Sequence, residues 1–130
     1  MTTTPKISVI VPVYNVASYV GECLSSLVHQ TFHDFEIIAV NDGSTDGSLA
    51  VLREFESSYP FDQPNSGVSA ARMAGLSLAR GEFVTFVDSD DYVSARYLEE
   101  LYTAICDNDA DIACCNYYFR FETTGLTVIY

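Results

Sequence analysis

Residues 83–93 read FVTFVDSDDYV. An apolar run through Phe83, Val84, Phe86 and Val87 stops at Asp88, Ser89, Asp90 and Asp91. Three carboxylates within four residues repel one another, and a plain turn does not need them at the tip of a core strand. They become tolerable when a divalent cation neutralises them. Oxygen donors without a neighbouring histidine or thiolate suit Mg2+ or Mn2+, hard cations that keep open positions and bridge phosphates. Asp88 and Asp90 are the candidate metal ligands, and Asp91 reads equally as a supporting acid or as a cap for the segment after it. The chain has no GxxxxGK[ST] loop and no GxGxxG. Phosphate charge would then fall to the metal, to Arg72 and to helix N-termini.

Positioning such groups requires a sheet whose strands end together. ISVIVPVYN (7–15) reads as a buried strand and turn, FEIIAV (35–40) as a second buried strand, and Phe83–Val87 as a third. Helical spacing appears over 17–30 (Val20, Leu24, Leu27, Val28, with Ser18 as a cap) and on a second face through Leu49, Leu52, Phe55 and Tyr59. A third helix covers about 67–80, with Ala70, Ala71, Ala74 and Leu78 for packing and Gly81 as its stop. Ser94 caps a fourth, with Leu98, Leu101, Tyr102 and Ile105 inward. Residues 57–67 are turn-like, and 109–130 read as a long strand, a glycine turn and the start of another strand. Alternating strands and helices imply an α/β fold with a parallel sheet covered on both faces. Ligands bind such sheets outside the carboxyl ends of the strands. Asn15, then Asn41 and Asp42, then Asp88–Asp91 all fall there. Ser44 and Asp46, within NDGSTDGS (41–48), read equally as helix caps and as ligands.

Composition narrows the function. The chain has 130 residues, enough for one domain, and 48% are hydrophobic, so it can build a core. Its net charge of −12 argues against nucleic acid and against a polybasic membrane anchor. MTTTPK lacks the apolar core of a signal peptide, and no apolar run approaches the ~20 residues of a membrane span. Cys23, Cys106, Cys114 and Cys115 show no CxxC spacing. The expectation is reduced, mostly buried thiols in a cytosolic protein, with Cys114 and Cys115 on opposite faces of a strand.

Three segments in order, VIVPVYN (9–15), VNDGSTDGS (40–48) and GVSAARMAGLSLARGEFVTFVDSDDYV (67–93), resemble the inverting family 2 glycosyltransferases over roughly residues 6–120. The resemblance implies a three-layer α/β/α, mostly parallel, Rossmann-like GT-A fold. It implies a nucleoside-diphosphate sugar as donor, most readily a UDP-sugar, and an acceptor hydroxyl on a glycan or lipid-linked molecule. The pathway it suggests is bacterial-type polysaccharide or cell-surface glycan synthesis. It places Pro12, Val13 and Tyr14 against the nucleobase beside Asn15, and Asp42 on the base edge. Asp88-Ser89-Asp90 becomes the DxD-type motif, with Asp88 toward the ribose and Asp90 on the metal, and Arg72 lies near the carboxylates or the diphosphate. Lys6 reads as a surface charge. The resemblance also implies a cytoplasmic location, including a peripheral position at the inner face of the membrane.

Three departures stand out. Only Phe61 and Asp62 separate SSYP (57–60) from QPNSG (63–67), so the family's short strand after the second helix looks deleted or cut short. Met73 replaces the asparagine usual after the AAR arginine. The chain ends at Tyr130, well short of the family's catalytic domain. The expectation is therefore one incomplete nucleotide-sugar-binding domain over 1–130. No general base is identified, and Asp109, Asp111 and Glu122 are weak candidates. Uncovered sheet surface would favour self-association. A binding module without catalysis is the alternative. A response-regulator domain needs paired acids after its first strand and a late lysine, but that strand ends in VYN and the lone lysine is Lys6. A phosphatase with its acids after the first strand fails likewise, and glycoside hydrolases set their acids across a sugar rather than in one turn.

Overall fold

A computed structural model of the chain describes residues 3–55, 57–125 and 127–129. Its centre is a sheet of four parallel strands, β1 (Ile7–Val13), β2 (Phe35–Asp42), β3 (Ser58–Gln63) and β4 (Phe83–Phe86), in the order β3-β2-β1-β4. The helices α1 (Val20–Val28), α2 (Ser48–Glu54), α3 (Val68–Leu78) and α4 (Tyr97–Asp107) connect and flank them. β5 (Tyr118–Arg120) and β6 (Thr127–Ile129) form a separate antiparallel pair.

Strand alternation sorts the core into two layers. Ile7, Val9, Val11 and Val13 of β1 and Ile37 and Ala39 of β2 pack with Leu24, Leu27, Leu52 and Leu98 of α1, α2 and α4. On the other face Ile38 and Val40 meet Ala71 and Ala74 of α3. Helix α3 lies close because Gly75 has no side chain: a Cβ there would collide with Ile10. At the amino ends of the strands, Glu36 is buried but accepts from Ser8 Oγ (2.6 Å), Arg80 N and the Arg80 guanidinium. Ser8 Oγ in turn accepts from Gly81 N at 2.8 Å. This network ties the α3–β4 connection to the sheet, far from the carboxyl ends.

Several expectations change. The strand that looked deleted is present as β3, pairing with β2 from Ile37↔Ser58 to Asp42↔Gln63. Its turn-like composition suits a sheet edge, where Pro60 needs no ladder partner on its outer side. The backbone of Tyr59 therefore belongs to β3 rather than to α2. β4 is also an edge and not a buried strand: Val84 and Phe86 are 37% and 45% exposed. Gly81 does not stop α3, which ends at Leu78; a Cβ at Gly81 would lie 2.6 Å from Ser8 N. Leu78 is exposed rather than packed.

Neither Ser18 nor Ser94 caps a helix through its side chain. Gln30 does so for α4, accepting from Leu98 N at 3.0 Å and donating to Ser94 O. Residues 109–117 form no strand, so Cys114 and Cys115 do not straddle one. All four thiols are free, but only Cys23 is buried. Lys6 is a surface charge, as expected, paired with Glu82 at 3.1 Å.

Candidate functional site

The strand order reverses beside β1: β2 and β3 extend to one side and β4 returns on the other. Side chains that come after β1 and β4 therefore lie at this switch point. After β1, Tyr14 is half exposed and Asn15 takes a left-handed turn at φ 49°. Pro12 and Val13 lie inside β1 and are buried, so of the three base-contact candidates Tyr14 alone presents a side-chain face to solvent. Asn15 joins two loops: Oδ1 accepts from Thr45 N at 2.8 Å, and its own N–H donates to Ser44 Oγ. Asp46 completes the connection by accepting from Ala17 N, Ser48 N and Ser48 Oγ. Hydrogen bonds from Ser48 hold its carboxyl below the usual range. Ser44 and Asp46 thus act as loop braces.

After β4 the chain pairs for one more residue, Val87 N donating to Ile10 O, and then closes a turn with Asp91 N on Asp88 O. Ser89 is buried, whereas Asp88 and Asp90 are exposed. Arg72, one residue beyond the buried Ala71 on α3, reaches across and donates from Nη2 to Asp88 Oδ1 at 2.8 Å. Its Nε is buried and has no partner among the described residues. Burial and then the charges of Asp90 and Asp88 push the Asp91 carboxyl above its ordinary range. That is the repulsion anticipated for the cluster. Burial, reinforced by the same three acids, pushes the Cys23 thiol up to about 12, so it stays protonated; Sγ lies 3.6 Å from Asp88 O.

Asp42 ends β2 and is buried. Oδ1 accepts from Gln63 Nε2 (2.8 Å) and Ser66 N (2.8 Å), and Oδ2 accepts from Gly67 N (2.9 Å). Burial alone would raise its pKa, but these three donors outweigh it and hold the carboxyl below the usual range. Gly43 (φ 71°) allows the close approach of the 63–67 loop, since a Cβ there would meet Asn65 N at 2.6 Å. The adjacent rung pairs Asn41 Nδ2 with Asp62 Oδ1 at 2.8 Å. Gln63 and the Ser66–Gly67 amides escaped the sequence reading because β3 itself did; the signal available was QPNSG after a short run of strand length.

A crevice of about 1310 Å³ opens beside Arg72, Asp88, Asp90 and Asp91, with Tyr92, Tyr118 and Arg120 also on its wall. Tyr92 and Tyr118 meet edge to face, with centroids 6.1 Å apart. Hydrogen bonding to Tyr118 and then to Arg120 draws the Tyr92 hydroxyl below its ordinary range. Of the weak base candidates, Glu122 borders this crevice; Asp111 lines a separate one. Met73 is exposed on α3.

The family profile for Glycosyl transferase family 2 matches residues 8–129. The chain is 47% identical over 130 residues to glycosyltransferase GlyA of Streptococcus pneumoniae, covering 97% of this chain and 19% of GlyA. It is 41% identical over 131 residues to a glycosyltransferase, YibD, of Escherichia coli, covering 98% of this chain and 38% of YibD. Among solved structures, residues 1–349 of S. aureus TarS in complex with UDP-GlcNAc superpose with a TM-score of 0.74 at 39% identity, over 79% of this chain and 31% of that one. A Pyrobaculum calidifontis mannosyltransferase in complex with GDP-Man and Mn2+ gives 0.67 at 29% identity, over 73% and 30%. The chain thus spans well under half the length of these relatives. With its parallel α/β sheet, polar groups at the strand ends and a profile match over nearly its whole length, the chain belongs to glycosyltransferase family 2 and has the GT-A fold.

Proposed function

We propose that residues 1–130 are the donor-binding part of an enzyme that transfers a sugar, with inversion, from a nucleoside diphosphate, UDP foremost, to an acceptor hydroxyl. The acceptor is a glycan or lipid-linked molecule of cell-surface polysaccharide synthesis, met in the cytoplasm or at the inner face of the membrane. The observation that carries this reading is the Arg72–Asp88 pair beside Asp90 at the switch point of the sheet. The complexes of TarS with UDP and with UDP-GlcNAc support the choice of nucleotide.

Each residue has a task on this reading. Tyr14 offers its ring to the base, and Asp42 accepts from the base edge. Asn15 holds the turn that presents Tyr14. Asp88 would lie toward the ribose and, with Asp90, would hold the cation, with the buried Ser89 between them in the donor site. Arg72 has an unmet Nε–H donor that a phosphate oxygen would satisfy. The donor set suits a hard cation, since Asp88 and Asp90 supply only oxygen. Among the described residues no group of three histidine, cysteine, aspartate or glutamate side chains is placed to hold a metal. A bound Mg2+ or Mn2+ supplies positive charge to the leaving diphosphate. A non-catalytic nucleotide-binding role is the second reading. It rests on the lack of an identified general base, Glu122 on the crevice wall being a weak candidate.

Calorimetry of UDP with and without Mn2+, on this chain and on Asp90→Ala, tests the reading. We expect Mn2+-dependent binding that weakens about tenfold or more in the variant. A folded protein that binds no UDP in either condition would overturn it.

A further inference from the structure

We propose that Gln63 is a positioning residue for nucleobase selection, keeping the Asp42 carboxylate ionised and aimed so that it accepts an N–H from the base. This rests on the reading that places Asp42 at the base edge. The two residues are register partners across β2 and β3. Gln63 Nε2 donates to Asp42 Oδ1 at 2.8 Å, where Ser66 N also donates. Both accepting positions of Oδ1 are thereby used. Among the described residues Oδ2 receives Gly67 N alone, which leaves it one accepting position. Rotation of the carboxylate would break all three bonds together, so its free lone pair has a set direction.

The groups that bond the carboxylate are uncharged, and the nearest charged side chains are engaged elsewhere. Gln63, Ser66 and Gly67 are neutral, Asn65 donates to the Asp42 carbonyl, Asp62 is on the next rung with Asn41, and Arg72 is engaged with Asp88. An ionised, directed acceptor suits uracil, whose N3 carries a hydrogen. It disfavours cytosine, which meets the same oxygen with N3, itself an acceptor, and can bond only by shifting to present its 4-amino group. The amide of Gln63 holds Oδ1 without adding charge: a second carboxylate at this rung would repel Asp42 when both are ionised, and only when protonated would it donate to Oδ1 as the amide does.

The test uses UDP and CDP binding with Mn2+, by calorimetry between about pH 8 and about pH 5.5, with circular dichroism to establish folding. The wild-type chain should prefer UDP across the range. In Gln63→Glu, UDP affinity should be about tenfold lower toward the alkaline end, where the two carboxylates repel, and should recover toward the acid end, where protonation restores the bond to Oδ1, with the UDP-to-CDP ratio following it. Gln63→Met keeps the bulk without the donor or a new charge. It should weaken UDP about tenfold with no added pH slope, and it serves if the glutamate variant folds poorly. A Gln63→Glu variant with wild-type affinity and ratio at every pH overturns the role of Gln63 and leaves Asp42 at the base edge. If Asp42→Asn keeps the wild-type preference for UDP over CDP, the base-edge reading fails and the role of Gln63 fails with it.

Discussion

Individual carboxylates in this chain have opposite relations to stability. Glu36 and Asp42 are both buried, which raises a carboxylate, yet Ser8 and Arg80 donors for the one, and Gln63, Ser66 and Gly67 donors for the other, hold them low. A folded pKa below the unfolded one contributes stability that is fully present above about pH 4. It is lost as pH falls through the depressed folded values. Asp91 runs the other way: burial and the charges of Asp90 and Asp88 raise it. Its ionisation weighs on the fold at neutral pH, and the fold gains as pH drops through that raised value. We therefore expect Asp42→Asn to lower stability by about 1–3 kcal/mol at neutral pH, because the Ser66 and Gly67 amides lose their anionic acceptor. The deficit should shrink only as pH falls below about 4 and through the depressed native value, where the native carboxyl is protonated in turn. Asp91→Asn should raise the urea midpoint near neutrality and converge on wild type in acid. Urea titrations at several pH values check both.

At the level of elements, the site depends on how closely α3 and the loops approach the sheet. Gly75→Ala adds a Cβ against Ile10. The gain in helix propensity opposes that clash, but overpacking of this kind costs about 1–3 kcal/mol, so a lower thermal midpoint is expected. The loops after β1 and β2 are braced by Asn15, Ser44 and Asp46. Asp46→Ala should speed amide hydrogen exchange at Ala17 and Ser48 while leaving β1 protected, a pattern that exchange mass spectrometry reads directly. β3 shows why local composition misled: a strand of Ser, Tyr, Pro, Phe, Asp and Gln has little apolar alternation. It forms because the edge of β2 offers a full ladder, and because Asn41–Asp62 and Asp42–Gln63 bond across the rungs.

The whole molecule carries apolar surface at its β4 side. Val84 and Phe86 are exposed, Ile112 is 78% exposed, and a gap of about 310 Å³ lies along Phe83, Val84 and Ile105. A free strand edge with such neighbours favours association, while a net charge of −12 opposes it through long-range repulsion. Salt screens the repulsion and leaves the apolar contact. We expect the weight-average mass in light scattering to rise with concentration, and to rise further with added salt. Val84→Lys combined with Ile112→Lys should suppress both trends. A monodisperse monomer across concentration and salt would contradict the expectation.

The sequence by itself determined the elements with strong apolar periodicity and the positions of the acids relative to them. The run 7–13 reads as a buried strand, and the carboxylates at 42, 88, 90 and 91 fall at or just after strand ends in a parallel sheet. The resemblance to family 2 glycosyltransferases was likewise legible, because it rests on short segments in order. What only the tertiary structure decided was which neighbours those groups acquire. Arg72 reaches Asp88 across 16 residues, Asp42 collects donors from 63, 66 and 67, and Gln30 caps a helix 68 residues away. Hydrogen bonds of that kind carry no local pattern. They arise when separate elements, each driven by its own apolar face, pack onto one sheet and bring their polar ends within about 3 Å.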